Sequence, residues 1–326
     1  MSAEIDMSNG RANIAYFGDT PWHGLGVPMD ADADLDKWRI AAGLDHNVIG
    51  APAMYLDPDT GDALEVPSRQ VLVRDDTKAV LSVVDEGYNI VQPRDVIDFY
   101  KSLIEAHGFN METAGSLRGG QRIWALAKTG DEFRLKGQDQ LLRYIMLATS
   151  YDGRMSTIAT ETSVRVVCMN TFRFAVGENG EKADIRIPHH TVFDAETVKK
   201  QLNIGSEEWT RYIEESEALS DRKVGKKEIV EFFVDLFYDT EDEGFNVEDN
   251  KVQRRIATMV DIFHNGVGQD TVSARGTAWG LVNAVSRFTD HERKTRTIDN
   301  RMNSAWFGDG NRMKQKAHNM ALKLVA

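Results

Sequence analysis

Arginines interleaved with aromatic side chains are the most suggestive chemistry in this chain. Between Leu141 and Val176 lie Arg143, Arg154, Arg165 and Arg173, with Tyr144, Tyr151, Phe172 and Phe174 among them and only Asp152 and Glu161 as acids. A guanidinium offers a phosphate two parallel hydrogen bonds. An aromatic face stacks on an unpaired base, so this mixture is what a single-stranded nucleic-acid groove needs. Just upstream, Gly115-Ser116-Leu117-Arg118-Gly119-Gly120-Gln121-Arg122 sets Arg118 and Arg122 among glycines. It has neither the Gly-Lys-Ser/Thr of a P-loop nor a dinucleotide fingerprint. A hairpin turn with two solvated arginines and a phosphate contact both remain open readings of it. A second basic cluster, Arg287, Arg293, Lys294, Arg296 and Arg301, lies between Thr277-Ala278-Trp279-Gly280 and Ser304-Ala305-Trp306-Phe307-Gly308.

Charge is divided unevenly along the chain. The formal net charge is −12, yet Val272–Ala326 carries 10 Lys/Arg against 4 Asp/Glu, so this block is +6 and the remainder −18. Residues 1–65 stand at −9 and residues 206–250 at −10. Separation on this scale speaks of binding rather than folding. Two partners fit the basic groups: nucleic-acid phosphate, or the chain's own acidic helices in the same or a neighbouring molecule.

Other chemistries find less support. His189-His190 are adjacent and point apart on a strand or a helix, with no metal-ligand spacing around them, so a structural or surface role is favoured. Cys168, the single cysteine, sits in the apolar run Val166-Val167-Cys168-Met169 and reads as a buried, inert thiol. Asp239–Asp249, DTEDEGFNVED, reads as a solvated acidic loop, and as the metal site of a nucleic-acid-processing enzyme only in the second instance. No catalytic residue, metal or cofactor is expected. No run of apolar residues is long enough for a membrane span, the N-terminus is polar and acidic, and a lone cysteine fits a reducing cytoplasm.

The elements that must position these residues read as an α+β fold. A short helix is predicted over Asp34–Leu44, and strands over Asn47–Leu56, Arg69–Arg74 and Ala79–Val84, with a turn at Asp75–Lys78. Pro93–His107 reads as one helix, opened by proline and closed by Gly108. Phe109–Leu117, Arg122–Lys128, Leu141–Ser150 and Met155–Thr160 read as strands, the last two joined by the turn Tyr151–Arg154. Ser163–Arg173 reads as a helix, and Ile185–Pro188 as a short strand. Helical periodicity dominates after Phe193, over Lys226–Tyr238, Lys251–Phe263, Thr271–Phe288 and Asn311–Val325, with a basic loop between the last two. The expectation is a curved antiparallel sheet with packed helices, a β-β-β-α-like core, followed by a mainly helical region. The expected division is 1–65 as an acidic N-terminal region, 66–192 as the α+β core and 193–326 as the helical region with its basic tail.

The Pro21–Gly26 motif, Arg165–Thr171, Gly276–Val285, Asp290-His291 and Asn300–Gly308 together resemble a domain-of-unknown-function family of phage- and plasmid-associated proteins. The resemblance spans nearly the whole chain. It implies a mobile-element setting and brings no catalytic residues. At fold-class level the sheet and helix over 69–176 are similar to single-strand annealing proteins of the RecT/Redβ type, which form rings or filaments with a basic groove. The expected function is therefore single-stranded DNA binding and ATP-independent annealing, in the cytoplasm of a host cell, by a homo-oligomer (ring or filament) with no membrane contact. Arg118, Arg122, Arg143, Arg154, Arg165, Arg173, Arg287, Arg293, Lys294, Arg296 and Arg301 would meet phosphates, and Tyr151 would stack. The alternatives are a non-enzymatic assembly protein and a metal-dependent nucleic-acid-processing enzyme.

Overall fold

The structure, a computed structural model, describes residues 6–7, 10–18, 24–165, 170–173, 185–202, 207–242, 244–294 and 298–325. The fold is α+β, with two open sheets and helices concentrated toward the C-terminus.

The larger sheet is built on an antiparallel meander of β6 (Asn110–Leu117), β7 (Arg122–Leu135), β8 (Asp139–Ser150) and β9 (Thr157–Arg165). It is extended by β10 (Asn170–Arg173) and β11 (Ile185–Ile187) on β9, and by β1 (Ile14–Tyr16) and then β2 (Val27–Pro28) beyond β6. All of these pairs are antiparallel except β1 with β2. A second, three-stranded sheet holds β3 (Val48–Leu56), β4 (Ala63–Arg74) and β5 (Val80–Asp85). β4 begins before Arg69 and runs through the expected boundary at 65–66.

Side chains alternate across the meander, and each parity meets a different set of helices. Ile123, Ala125, Ala127, Ile145 and Leu147 face a core closed by α1 (Leu35–Ala41), α2 (Pro93–Asp98), α3 (Lys101–His107) and α4 (Ala195–Gln201). Trp124, Leu126, Tyr144 and Met146 face the other way, against Met302, Trp306 and Phe307 of α9 (Ile298–Phe307). A third core packs α5 (Glu207–Asp221), α6 (Lys226–Phe237), α7 (Asn250–Asn265), α8 (Ala278–Arg287) and α10 (Asp309–Leu322) around Phe233, Phe263, Trp279 and Val285.

Several expectations hold. The Asp34–Leu44 helix, the Asp75–Lys78 turn, the Tyr151–Arg154 turn and the short strand after Ile185 are all present. Trp279 is a packing anchor: it is 2% exposed, and its Nε1 donates to Asp139 Oδ2 at 3.2 Å. Its neighbour must be small, since a Cβ on Gly280 would lie 2.2 Å from the Ala274 carbonyl oxygen.

Others are corrected. Ser163–Arg173 is not a helix: β9 continues to Arg165 and β10 pairs back on it, with Phe172 opposite Ser163. The β-branched run suits a strand, and pairing with β8 supplies the hydrogen bonds a helix would have made internally. The expected Pro93–His107 helix breaks between α2 and α3, at Phe99-Tyr100. Tyr100 is fully buried there, and its hydroxyl donates to the Ala125 carbonyl at 2.6 Å and accepts from Leu147 N–H at 2.8 Å. Thr271–Phe288 is helical only from Ala278, where the Thr277 hydroxyl caps Gly280 N–H. The expected basic loop contains α9, whose Met302, Ala305 and Trp306 recur at helical spacing.

Candidate nucleic-acid interface

Two hairpin turns lie at one end of the large sheet. The first, Arg118–Gln121, joins β6 to β7, and Arg118, Gly119 and Gly120 all have positive φ. Gly120 permits close approach, since a Cβ there would lie 2.9 Å from Arg74 Nη1. The second turn joins β8 to β9, and the register sets Arg122 opposite Ser150.

Asp152 organises this end. Its Oδ2 lies 3.2 Å from Arg122 Nη2 and 4.0 Å from Arg118 Nη1, and its Oδ1 accepts from Ser150 Oγ and Arg154 N–H. Two guanidinium groups thus share one carboxylate, and Arg154 meets it through its backbone N–H alone. Arg154 is exposed, and among the described residues its guanidinium has no ion-pair partner. Arg122 is largely buried on the α9 face. It donates to Asn303 Oδ1 of that helix, and its Nε is buried with no partner. The next residue of α9, Ser304, accepts from Arg293 Nη1 at 3.3 Å. Adjacent positions of one helix therefore join the strand-end arginines to the C-terminal basic block. Arg301 donates to the His291 carbonyl at 2.8 Å, Arg287 pairs with Glu292 at 3.0 Å, and Lys294 is exposed.

An aromatic pair stands beside the second turn. Tyr88 and His189 stack at 4.2 Å with an interplanar angle of 14°. The Tyr88 hydroxyl donates to the Ser150 carbonyl at 2.6 Å, and His189 Nε2 lies 3.1 Å from the Met155 carbonyl. Both rings are half-buried, and burial draws the His189 imidazole below its usual value. No sequence motif points to either ring as a stacking platform; their proximity comes from tertiary folding across a hundred positions of sequence.

Two expected contacts are overturned. Arg143 is 2% exposed and fully engaged, with Glu161 at 2.5 and 3.0 Å and Asp131 at 2.8 Å. Asp131 reaches it from a break in the β7–β8 register between Lys128 and Glu132, where Gly130 has positive φ. Burial pushes the Glu161 carboxyl up, and the hydrogen bonds from Arg143 oppose that rise. Tyr151 is fully buried, and its hydroxyl donates to the Val91 carbonyl at 2.8 Å. Neither side chain can meet a strand without unfolding the sheet. Arg74, which composition does not single out, is buried likewise and held by Asp6 at 2.6 Å and Asp76 at 2.7 Å.

Arg165 and Arg173 are placed only by backbone, paired with Asn170 and Thr162. Arg296, Cys168 and Pro21-Trp22-His23 lie outside the described residues. Among the described residues no three His, Cys, Asp or Glu side chains are grouped to hold a metal, and no helix is long and apolar enough to cross a membrane.

Neither a curated protein nor a solved structure matches the chain. Residues 80–306, from the start of β5 to the Trp306 that packs edge-on against Trp124 at 4.8 Å, match the model of a domain of unknown function, DUF932, and the chain belongs to that family.

Proposed function

We propose that the chain binds single-stranded nucleic acid at the end of the large sheet, and that it anneals strands there without catalysing a covalent step. The observation that carries this reading is the sharing of the single Asp152 carboxylate by Arg118 and Arg122, with Arg154 exposed in the same turn, joined through Asn303 and Ser304 to the Arg293 side. Excess positive charge held at one place attracts a phosphate backbone despite a net charge of −12. Arg118, Arg154 and Lys294 supply the accessible cations. Tyr88 and His189 offer the ring faces that Tyr151 does not. A role in recombination of a phage or plasmid is the setting this activity fits.

Fluorescence anisotropy with a labelled single-stranded oligonucleotide at low salt tests the proposal. Binding that weakens steeply with salt, and weakens again in Arg118→Ala/Arg154→Ala, supports it. Absence of binding by folded protein at micromolar concentration overturns it.

A further inference from the structure

The outer half of the β3–β4 hairpin stands apart from every core. Its distal ladder pairs Met54 with Glu65, Tyr55 with Leu64 and Leu56 with Ala63. The register then breaks, and Pro52 pairs with Gln70, so Val66–Arg69 leave the β3–β4 ladder around Pro67 and a positive-φ Ser68, while Arg69 stays paired with Asp85 of β5. Beyond that break both faces of the ribbon meet solvent: Leu56 is 70% exposed, Met54 53%, Tyr55 48% and Leu64 40%. The apolar surface continues down the outer face of the small sheet through Ile49, Val80 and Val83. Monomers seldom leave so many large apolar side chains together in water. A two-stranded ribbon with no face buried is marginal by itself.

The ribbon is nonetheless held in shape. The Asp57 side chain accepts from Asp59 and Thr60 N–H groups, and the Asp57 carbonyl accepts from Gly61 N–H. A preformed tip lowers the ordering cost of docking.

Charge indicates the partner. The ribbon carries Asp57, Asp59, Asp62 and Glu65 and no base, and among the described residues none of these carboxylates has an ion-pair partner. Within the chain, base exceeds acid in Val272–Ala326, at +6 against −18 for the remainder. Every copy thus offers an acidic, apolar ribbon and a block on which Lys294, Lys323 and Arg312 (paired with Asp309 of its own helix) are exposed, and among the described residues no ion pair joins ribbon and block within the chain. We propose that residues 54–65 form an assembly arm that docks on the basic C-terminal block of a second copy of this chain. Such a contact joins unlike surfaces, so it propagates head to tail and builds rings or filaments rather than closed two-fold dimers.

Multi-angle light scattering on the full chain, without nucleic acid, tests this independently of the binding proposal. Three forms are compared: wild type, an arm variant (Tyr55→Ser/Leu56→Ser/Asp59→Lys/Asp62→Lys) and a block variant (Lys294→Glu/Arg312→Glu). Thermal melting checks that both variants fold, since the arm contributes nothing to the cores. The expected result is salt-sensitive assembly of the wild type beyond a dimer, with each variant alone monomeric. Mixing the two variants restores one good arm and one good block, so the mixture should reach dimers and stop. A wild type that stays monomeric at low salt, a folded variant that assembles like the wild type, or a mixture that stays monomeric overturns the proposal.

Discussion

Arg143 and Arg154 come from the same stretch, flagged by the same composition, and lie on or beside neighbouring strands. One is sealed between Glu161 and Asp131, and the other stands exposed in the turn that holds Asp152. The difference lies in what surrounds them. Arg143 shares the parity of Ile145 and Leu147, which point into the first helical core. Without its two carboxylates it would be an uncompensated buried charge. Arg154 sits in a turn, where water solvates it and no pairing is required. An arginine beside aromatics is thus a binding residue or a structural one according to the carboxylates that folding brings within reach.

The largest effect should come from breaking the buried half of this contrast. Arg143→Met should cost about 3–5 kcal/mol, because it strands the buried Glu161 carboxylate. Arg154→Met should stay within about 0.5 kcal/mol of wild type. Urea unfolding of both variants measures the difference, and equal costs would abolish the distinction.

Interior titration should come next. Burial lowers the His318 imidazole from 6.5 to about 4. Glu215 lies 3.5 Å away and would favour the charged ring, but its own carboxyl is pushed up by burial, so desolvation governs both. The unfolded chain then takes up the proton first as pH falls. The stability from a neutral His318 is complete above pH 6.5 and is lost progressively down to about 4, on the order of 3 kcal/mol in all. His318→Gln should flatten melting temperature against pH across that window.

At the exposed end the effects should appear in binding rather than folding. Arg118→Ala/Arg154→Ala should leave the melting temperature nearly unchanged. The slope of log affinity against log salt for a single strand should become shallower by roughly 0.7 for each phosphate that is no longer neutralised. Between Arg143→Met and Arg154→Met in its effect on folding should lie Asn303→Ala, which removes one hydrogen bond from Arg122 and should cost about 1 kcal/mol by urea unfolding.

Much of the fold is legible locally. The Asp75–Lys78 and Tyr151–Arg154 turns can be read because Asp and Gly punctuate the chain. The stretch 163–173 reads wrongly as a helix because short apolar runs look alike in strand and helix, and only pairing with β8 separates them. At the candidate site, Arg118 and Arg154 are legible from composition and stand where a strand could reach them. Tyr88 and His189 are not, since their stacking joins residues that no motif links.

Residue order alone determined the uneven charge, the meander with its turns and the small-residue setting that lets Trp279 pack. These depend on neighbours in sequence, through local backbone preference and periodicity. Only the tertiary structure decided which cations are free. Arg74 finds Asp6 at a separation of 68 positions, and Arg122 finds Asn303 at 181. Contacts over such distances are set by strand register and by which face a helix covers, because a charge is neutralised only by what lies within a few ångströms of it in space.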